Sequence, residues 1–163
     1  MNDDNLRVKN MLRHSDNLTP KERRRAMAAV KGRDTTPERR VASALRAIGV
    51  RFRRQAEDLP GHPDFVLLGM PVALFVQGCF WHAHGCRSET PRTNRAYWAR
   101  KLSLNRRRDR RVRRALNRLG WTVVFVWECR LATRQQAAIT VTRALARVSK
   151  TGHARPRRLR RKD

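Results

Sequence analysis

The stretch Pro63-Asp64-Phe65-Val66-Leu67-Leu68-Gly69-Met70-Pro71-Val72-Ala73-Leu74-Phe75-Val76 decides the fold. Two short apolar runs flank a Gly-Met-Pro turn, which predicts buried strands over 65–68 and 72–76, the second antiparallel to the first. A third apolar run, Trp121 to Trp127, follows Gly120 and reads as another strand. Helical patterns fill the intervals. Thr35 and Glu38 stand three apart with Pro37 between them, the pattern of a capping box with proline in the first turn. Val41, Ala44, Leu45 and Ile48 then recur at helical spacing until Gly49 stops the helix. Residues 96–118 carry Trp98, Leu102, Val112 and Leu116 on one stripe, beside ten Lys or Arg between Arg100 and Arg118. Ala137 to Val148 predicts the closing helix. Strands interleaved with helices make the fold class α/β, a mixed sheet flanked by helices.

The chain has 163 residues, enough for one domain with a core of its own. Lys and Arg number 39 against 13 Asp and Glu, a net charge of +26, while 40% of residues are hydrophobic. The last 13 residues, 151–163, hold six Lys or Arg and one Asp, so that +21 belongs to the rest. Such an excess repels itself unless a polyanion neutralises it, which points to nucleic acid. No apolar or amphipathic anchor accompanies the charge to favour a membrane, and Pro71 to Val76 falls far short of the ~20 residues of a spanning helix. Met1-Asn2-Asp3-Asp4 lacks the basic and apolar regions of a secretory signal. Three cysteines cannot all pair within one chain, so a reducing, cytoplasmic compartment is expected. The reading divides the chain into a loose arm (1–19), a folded domain (20–150) and a basic solvated tail (151–163).

Cys79-Phe80-Trp81-His82-Ala83-His84-Gly85-Cys86 packs two Cys and two His into eight positions, and Cys129 follows the strand ending Trp127-Glu128. Cys79, His84, Cys86 and Cys129 suit a closed tetrahedral Zn²⁺ site tying two strand ends together. Small buried cysteines without a metal are the plainer alternative. His82 is left over. It is either an acid–base group held by ligating neighbours or a solvent-facing histidine in a metal loop, and the sequence favours neither.

Asp64 opens a buried strand, where an acid is often only a turn residue. Glu38 has a capping role available, yet it shares the inward stripe of Val41, Leu45 and Ile48. Burying a carboxylate alone is costly, and one Mg²⁺ between Glu38 and Asp64 would satisfy both. On a polyanion-binding protein such a site implies phosphodiester cleavage. Trp98, at helical spacing, reads as core more readily than as a nucleic-acid contact. Phe80 and Trp81, inside a metal loop, are harder to bury and favour contact with DNA.

Several of these pieces, taken in order, resemble one family. They are Met27-Ala28-Ala29-Val30-Lys31-Gly32-Arg33-Asp34-Thr35-Thr36-Pro37-Glu38, Leu59-Pro60-Gly61-His62-Pro63-Asp64-Phe65, and Phe75-Val76-Gln77-Gly78-Cys79-Phe80-Trp81-His82, followed by Tyr97-Trp98, Gly120-Trp121 and Val126-Trp127-Glu128-Cys129. The family is that of the very short patch repair (Vsr) DNA mismatch endonucleases. The resemblance runs from about residue 20 to 131. It implies a restriction-endonuclease-like core and a Mg²⁺-dependent, strand-specific nick 5′ to the T of a T:G mismatch, the product of 5-methylcytosine deamination. By position, Asp64 and the backbone carbonyl of Val76 are implied as Mg²⁺ ligands, His82 as the general base, and Glu38 as the acid that orders metal-bound water. Cys79, His84, Cys86 and Cys129 match the structural zinc ligands. Phe80, Trp81 and Trp98 match aromatics inserted beside the mismatch, and Met27 and Val30 the wedge of an N-terminal helix. The partner implied is double-stranded DNA in the bacterial nucleoid, with a functional link to a cytosine-5 DNA methyltransferase, and a strand-specific nick at an asymmetric lesion needs only a monomer.

One departure stands out. Gln77 occupies the place of a histidine in the best-known members, and an amide can donate a hydrogen bond but cannot shuttle a proton. No lysine stands where a conventional Pro-Asp…Asp/Glu-x-Lys nuclease places one, consistent with His82 in that role. Two other readings remain at this stage. One is a basic zinc-stabilised binder without catalysis, and the other is a nicking or restriction endonuclease of the same fold with a different target.

Overall fold

The computed structural model describes residues 18–29, 32–86 and 91–149. The arm through residue 17, the tail and Val30 therefore lie outside the described residues. Four strands form one sheet in the order β1-β2-β3-β4: Phe52–Arg54, Phe65–Leu67, Val72–Gln77 and Thr122–Trp127. The first three meander antiparallel, with Phe65 opposite Leu74. β4 runs parallel to β3 from Val72↔Thr122 to Gln77↔Trp127, joined through a long crossover helix. Helices α1 (Pro20–Ala29), α2 (Thr36–Ala47), α3 (Arg95–Arg118) and α4 (Arg134–Ser149) complete the fold, with a short 3-10 turn at Glu128–Arg130.

Alternation along β3 sends its side chains to two different cores. Val72 and Leu74 join Val41 and Leu45 of α2 and Val141 and Leu145 of α4. Ala73 faces the other way, with Val66 and Leu116, under Phe75 and Val112. The sheet is thus covered on both faces, by α2 and α4 on one and by α3 on the other. Each large side chain removed from water here contributes ~1.5–3 kcal/mol.

The capping box forms as predicted, with the Thr35 side chain on the Glu38 amide and Glu38 reaching back. Ile48 does not belong to the stripe. It is the C-cap and is 39% exposed, because the chain turns at Gly49 (φ +71°). The strand predicted over 65–68 ends at Leu67, and Leu68 is exposed. α4 begins at Arg134, earlier than the predicted Ala137, where Thr133 Oγ1 accepts the Gln136 amide at 3.1 Å. The edge strand β1 was not expected. It is three residues long, two of them arginine, so no apolar alternation announces it. The Gly61 backbone (φ +77°) lies against α3, where an added Cβ would meet Val112 Cγ1 at 2.4 Å. That contact sets the chain leading into Asp64 directly on the crossover helix.

Candidate active site

Asp64 is the residue before β2, and its Oδ2 accepts the amide of Val76 from β3 at 2.7 Å. Burial pushes its carboxyl from 3.8 up to about 6. The Val76 amide opposes that rise, the nearby Glu38 charge adds to it, and Arg54 lowers it. A largely buried carboxylate beside a second carboxylate is a place short of positive charge.

Beyond β3 the chain enters the loop Gly78–Cys86. His82 there meets Asp109 of α3, Nδ1 to Oδ2 at 2.5 Å, with both side chains largely covered. The carboxylate fixes the ring, and a neutral imidazole donating from Nδ1 to Asp109 would have Nε2 free as an acceptor. Trp127 closes on the same ring edge-on, centroids 6.3 Å apart. Asn105 Nδ2, one turn earlier on α3, holds the Trp81 carbonyl at 2.8 Å. α3 thus positions the loop at two points.

Asp64, His82, Asp109, Gln77 and Val76 line one cavity of about 280 Å³ with Phe75, Val112 and Phe125 as its apolar wall. Arg33, His62 and Arg108 line it too. Gln77 is 5% exposed and follows Ala73 and Phe75 on the α3 side of the sheet. An acid, an oriented imidazole and flanking cations can accept a phosphodiester and take a proton from water beside it.

Glu38 does not line the cavity. It is 4% exposed, accepts Thr35 Oγ1 (2.7 Å) and the Asp34 amide (2.9 Å), and lies 3.8 Å from Arg54 Nη2. Its capping role is present, and its charge also reaches Asp64.

Cys79, His84, Cys86 and Cys129 come together with their ligand atoms all within 4.8 Å of one another, a set able to hold a metal ion. Cys129 Sγ is 3.6 Å from His84 Nδ1, and the Cys129 amide reaches Cys79 Sγ at 3.4 Å. Trp127 stacks flat on His84, 4.0 Å between centroids and 9° between planes. Burial pushes the Cys79 thiol up to about 12, so without a cation beside it this sulfur stays protonated.

The aromatics divide. Trp98 is fully buried beneath Phe80 and Trp81, whose rings meet it at 5.2 and 6.4 Å, and Ala26 and Met27 of α1 complete the cluster. In this arrangement Trp98 supports the other two rings. Phe80 and Trp81 are half-buried, as is Met27. Gly78 makes room for the indole: a Cβ there would lie 2.9 Å from Trp81 Cδ1.

Two residues of this region escaped sequence reasoning. Asp109 is the single acid on a helix dominated by arginine, and that isolation was the available signal. Arg54, at the end of β1, pairs with Asp34 Oδ1 at 2.8 Å.

Comparison with known proteins agrees with the geometry. The family described as DNA mismatch endonuclease Vsr matches residues 15–88. A type II nicking enzyme, V.XorIIP of Xanthomonas oryzae pv. oryzae, is 46% identical over 119 residues, covering 72% of this chain and 88% of the relative. The DNA mismatch endonuclease Vsr of Escherichia coli is 44% identical over 70% of this chain and 74% of its own length. The type II nicking enzyme V.NmeDIP of Neisseria meningitidis serogroup C is 38% identical over 69% and 77%. With such identity across most of the relatives' length, and an acid and an oriented histidine lining one cavity, this chain belongs to the Vsr family of DNA mismatch endonucleases.

Proposed function

We propose that this endonuclease makes a Mg²⁺-dependent, strand-specific nick 5′ to the T of a T:G mismatch in double-stranded DNA. The observation that carries the reading is the cavity lined jointly by Asp64 and the His82–Asp109 pair. His82 Nε2 takes the proton from the attacking water, and Asp109 stabilises the imidazolium that forms. Asp64 and the Val76 carbonyl would hold the cation, whose hard-oxygen preference suits this donor set, and Glu38 would help order water there. Burial without full compensation at Asp64 is what a divalent cation would offset. When bound, Mg²⁺ steadies the charge that develops on the phosphate and the leaving oxygen. Gln77 contributes a hydrogen bond to phosphate or water and no proton transfer.

Cys79, His84, Cys86 and Cys129 would hold zinc, which would clasp the ends of β3 and β4. Tetrahedral Zn–S and Zn–N bonds put ligand atoms roughly 3.5–3.8 Å apart, which the Cys129–His84 separation of 3.6 Å matches. Phe80 and Trp81, held up by Trp98, and Met27 with Val30 enter the base stack at the mismatch, where a wobble pair makes unstacking cheaper. The active unit is a monomer in the bacterial cytoplasm, its endonuclease domain spans 20–150, and its lesions arise where a cytosine-5 methyltransferase acts.

A binder without catalysis has no use for inward carboxylates facing phosphates. Relatives named as nicking enzymes favour a single-strand cut, and they also favour a second reading in which the flanking target differs. The test is end-labelled duplexes, fully paired or carrying T:G in several flanking contexts, incubated with Mg²⁺ and with Asp64→Ala as control. A nick beside the mismatched T, absent in the control, is expected. Equal cutting of paired duplex would overturn the mismatch assignment, and tight binding without a cut would overturn the enzymatic one.

A further inference from the structure

Arg54 is placed where the cation chemistry of the site can be tuned. Its Nη2 donates to Asp34 Oδ1 at 2.8 Å and lies 3.8 Å from Glu38 Oε2. Its guanidinium lies over the Phe65 ring, 5.8 Å from the centroid, and the residue is only about a third exposed at 34%. Nε is buried with no hydrogen-bond partner among the described residues. A guanidinium carries five donors, and leaving one buried and unmatched costs free energy. The position is therefore held for charge, against local hydrogen-bond economy. Asp34 is held low first by Arg54 and also by Arg39, whose Nε reaches Asp34 Oδ2 at 3.2 Å. Beyond Asp34, the charge of Arg54 also reaches the carboxylate pair: Glu38 by direct approach and Asp64 through space.

We propose that Arg54 is a resident counter-cation of the Asp64–Glu38 site, partly neutralising the carboxylates and so weakening the hold of the free protein on a divalent cation. The inference rests on the reading of Asp64 and Glu38 as the cation site. Like charges a few ångströms apart in a half-buried setting repel with an energy that water screens only in part. A divalent ion entering beside Asp64 meets that repulsion, and removing the guanidinium removes it.

The experiment is direct Mn²⁺ binding to the zinc-loaded protein without DNA, with free Mn²⁺ counted by electron paramagnetic resonance. Arg54→Gln and Arg54→Met are expected to bind Mn²⁺ about tenfold more tightly than the parent, a change of ~1.4 kcal/mol. Arg54→Lys keeps the charge and is expected to match the parent. Thermal unfolding confirms which variants are folded, and Met, which keeps an apolar stem over Phe65, stands in should Gln not fold. Unchanged or weaker binding in the neutral variants, with Asp64→Ala still abolishing it, would overturn the role of Arg54 alone. Binding that survives Asp64→Ala would overturn the cation site itself, and the inference with it.

Discussion

His82 and Asp109 stand 27 positions apart, on a loop and a helix, yet meet Nδ1 to Oδ2 at 2.5 Å. With His82 as the proposed base, an orienter carried on the crossover helix would make the chemistry depend on the packing of α3 against the sheet. Asp109→Asn keeps the shape but presents either an amide or a carbonyl to the ring, and it removes the charge that stabilises an imidazolium. Single-turnover nicking is expected to fall by roughly 10²-fold or more with DNA affinity retained. Combined with His82→Ala, it should add little further loss, because the two act as a unit. Full additivity would separate them.

Asp64 ties function to a cost in stability. Its folded-state carboxyl lies near 6 against an ordinary 3.8, so the native state binds the proton more tightly than the unfolded chain. The metal-free protein therefore loses stability as pH rises from about 4 to 6, and the full cost remains above that window. Asp64→Asn is expected to stabilise the metal-free protein at pH 8 by on the order of 1–3 kcal/mol while abolishing nicking. At pH 3.5 the gain should vanish. Urea unfolding at the two pH values checks both statements.

The same carboxylate is expected to give the acid limb of the pH–rate profile. A cation competes with the proton for Asp64, so raising Mg²⁺ from limiting to saturating should move that limb to lower pH. A limb that does not respond to Mg²⁺ would assign it elsewhere.

Loss of Cys129 removes one of four converging ligands and leaves the ends of β3 and β4 unclasped. Cys129→Ala, or chelation of the parent, is expected to lower Tm by roughly 10 °C or more and to release one zinc per chain, since metal binding at such a site is folding free energy. Calorimetry with metal analysis measures both.

Trp98 and Trp81 should fail in different ways. Trp98 is fully buried, so Trp98→Ala is expected to cost about 3–5 kcal/mol of stability. Trp81→Ala should cost less in urea unfolding and more in discrimination between mismatched and paired duplex. Matching losses in both assays would merge the two roles.

The helix signals and the hairpin were legible because each rests on local chemistry. Thr35 caps Glu38 within one turn, and Gly69-Met70-Pro71 joins two runs that have little choice but to pair. The cysteines and His84 could be grouped because strand ends are common places for ligands. Asp109 could not, since its partner lies across the fold, and ten Lys or Arg between Arg100 and Arg118 disguise a single acid as one more exposed charge. β1 was hidden for a related reason. Phe52, Arg53 and Arg54 show no alternation, and their pairing is dictated by β2. Trp98 shows the limit of motif reasoning: its position in a pattern does not say whether the ring reaches the surface or supports those that do.

Phe80, Trp81, His82 and Ala83 lie between two members of the Cys/His cluster, Cys79 and His84. The segment is a span of four residues resting on two fixed piers. The proposed reading surface, Phe80 and Trp81, and the proposed reacting imidazole, His82, are neighbours in one arch, with Asn105 and Asp109 as props from α3. Side chains on the span can therefore be exchanged, altering which distortion of a duplex is tolerated, while the piers and props keep His82 in register with Asp64. A change in what is recognised need not be a change in how it is cut.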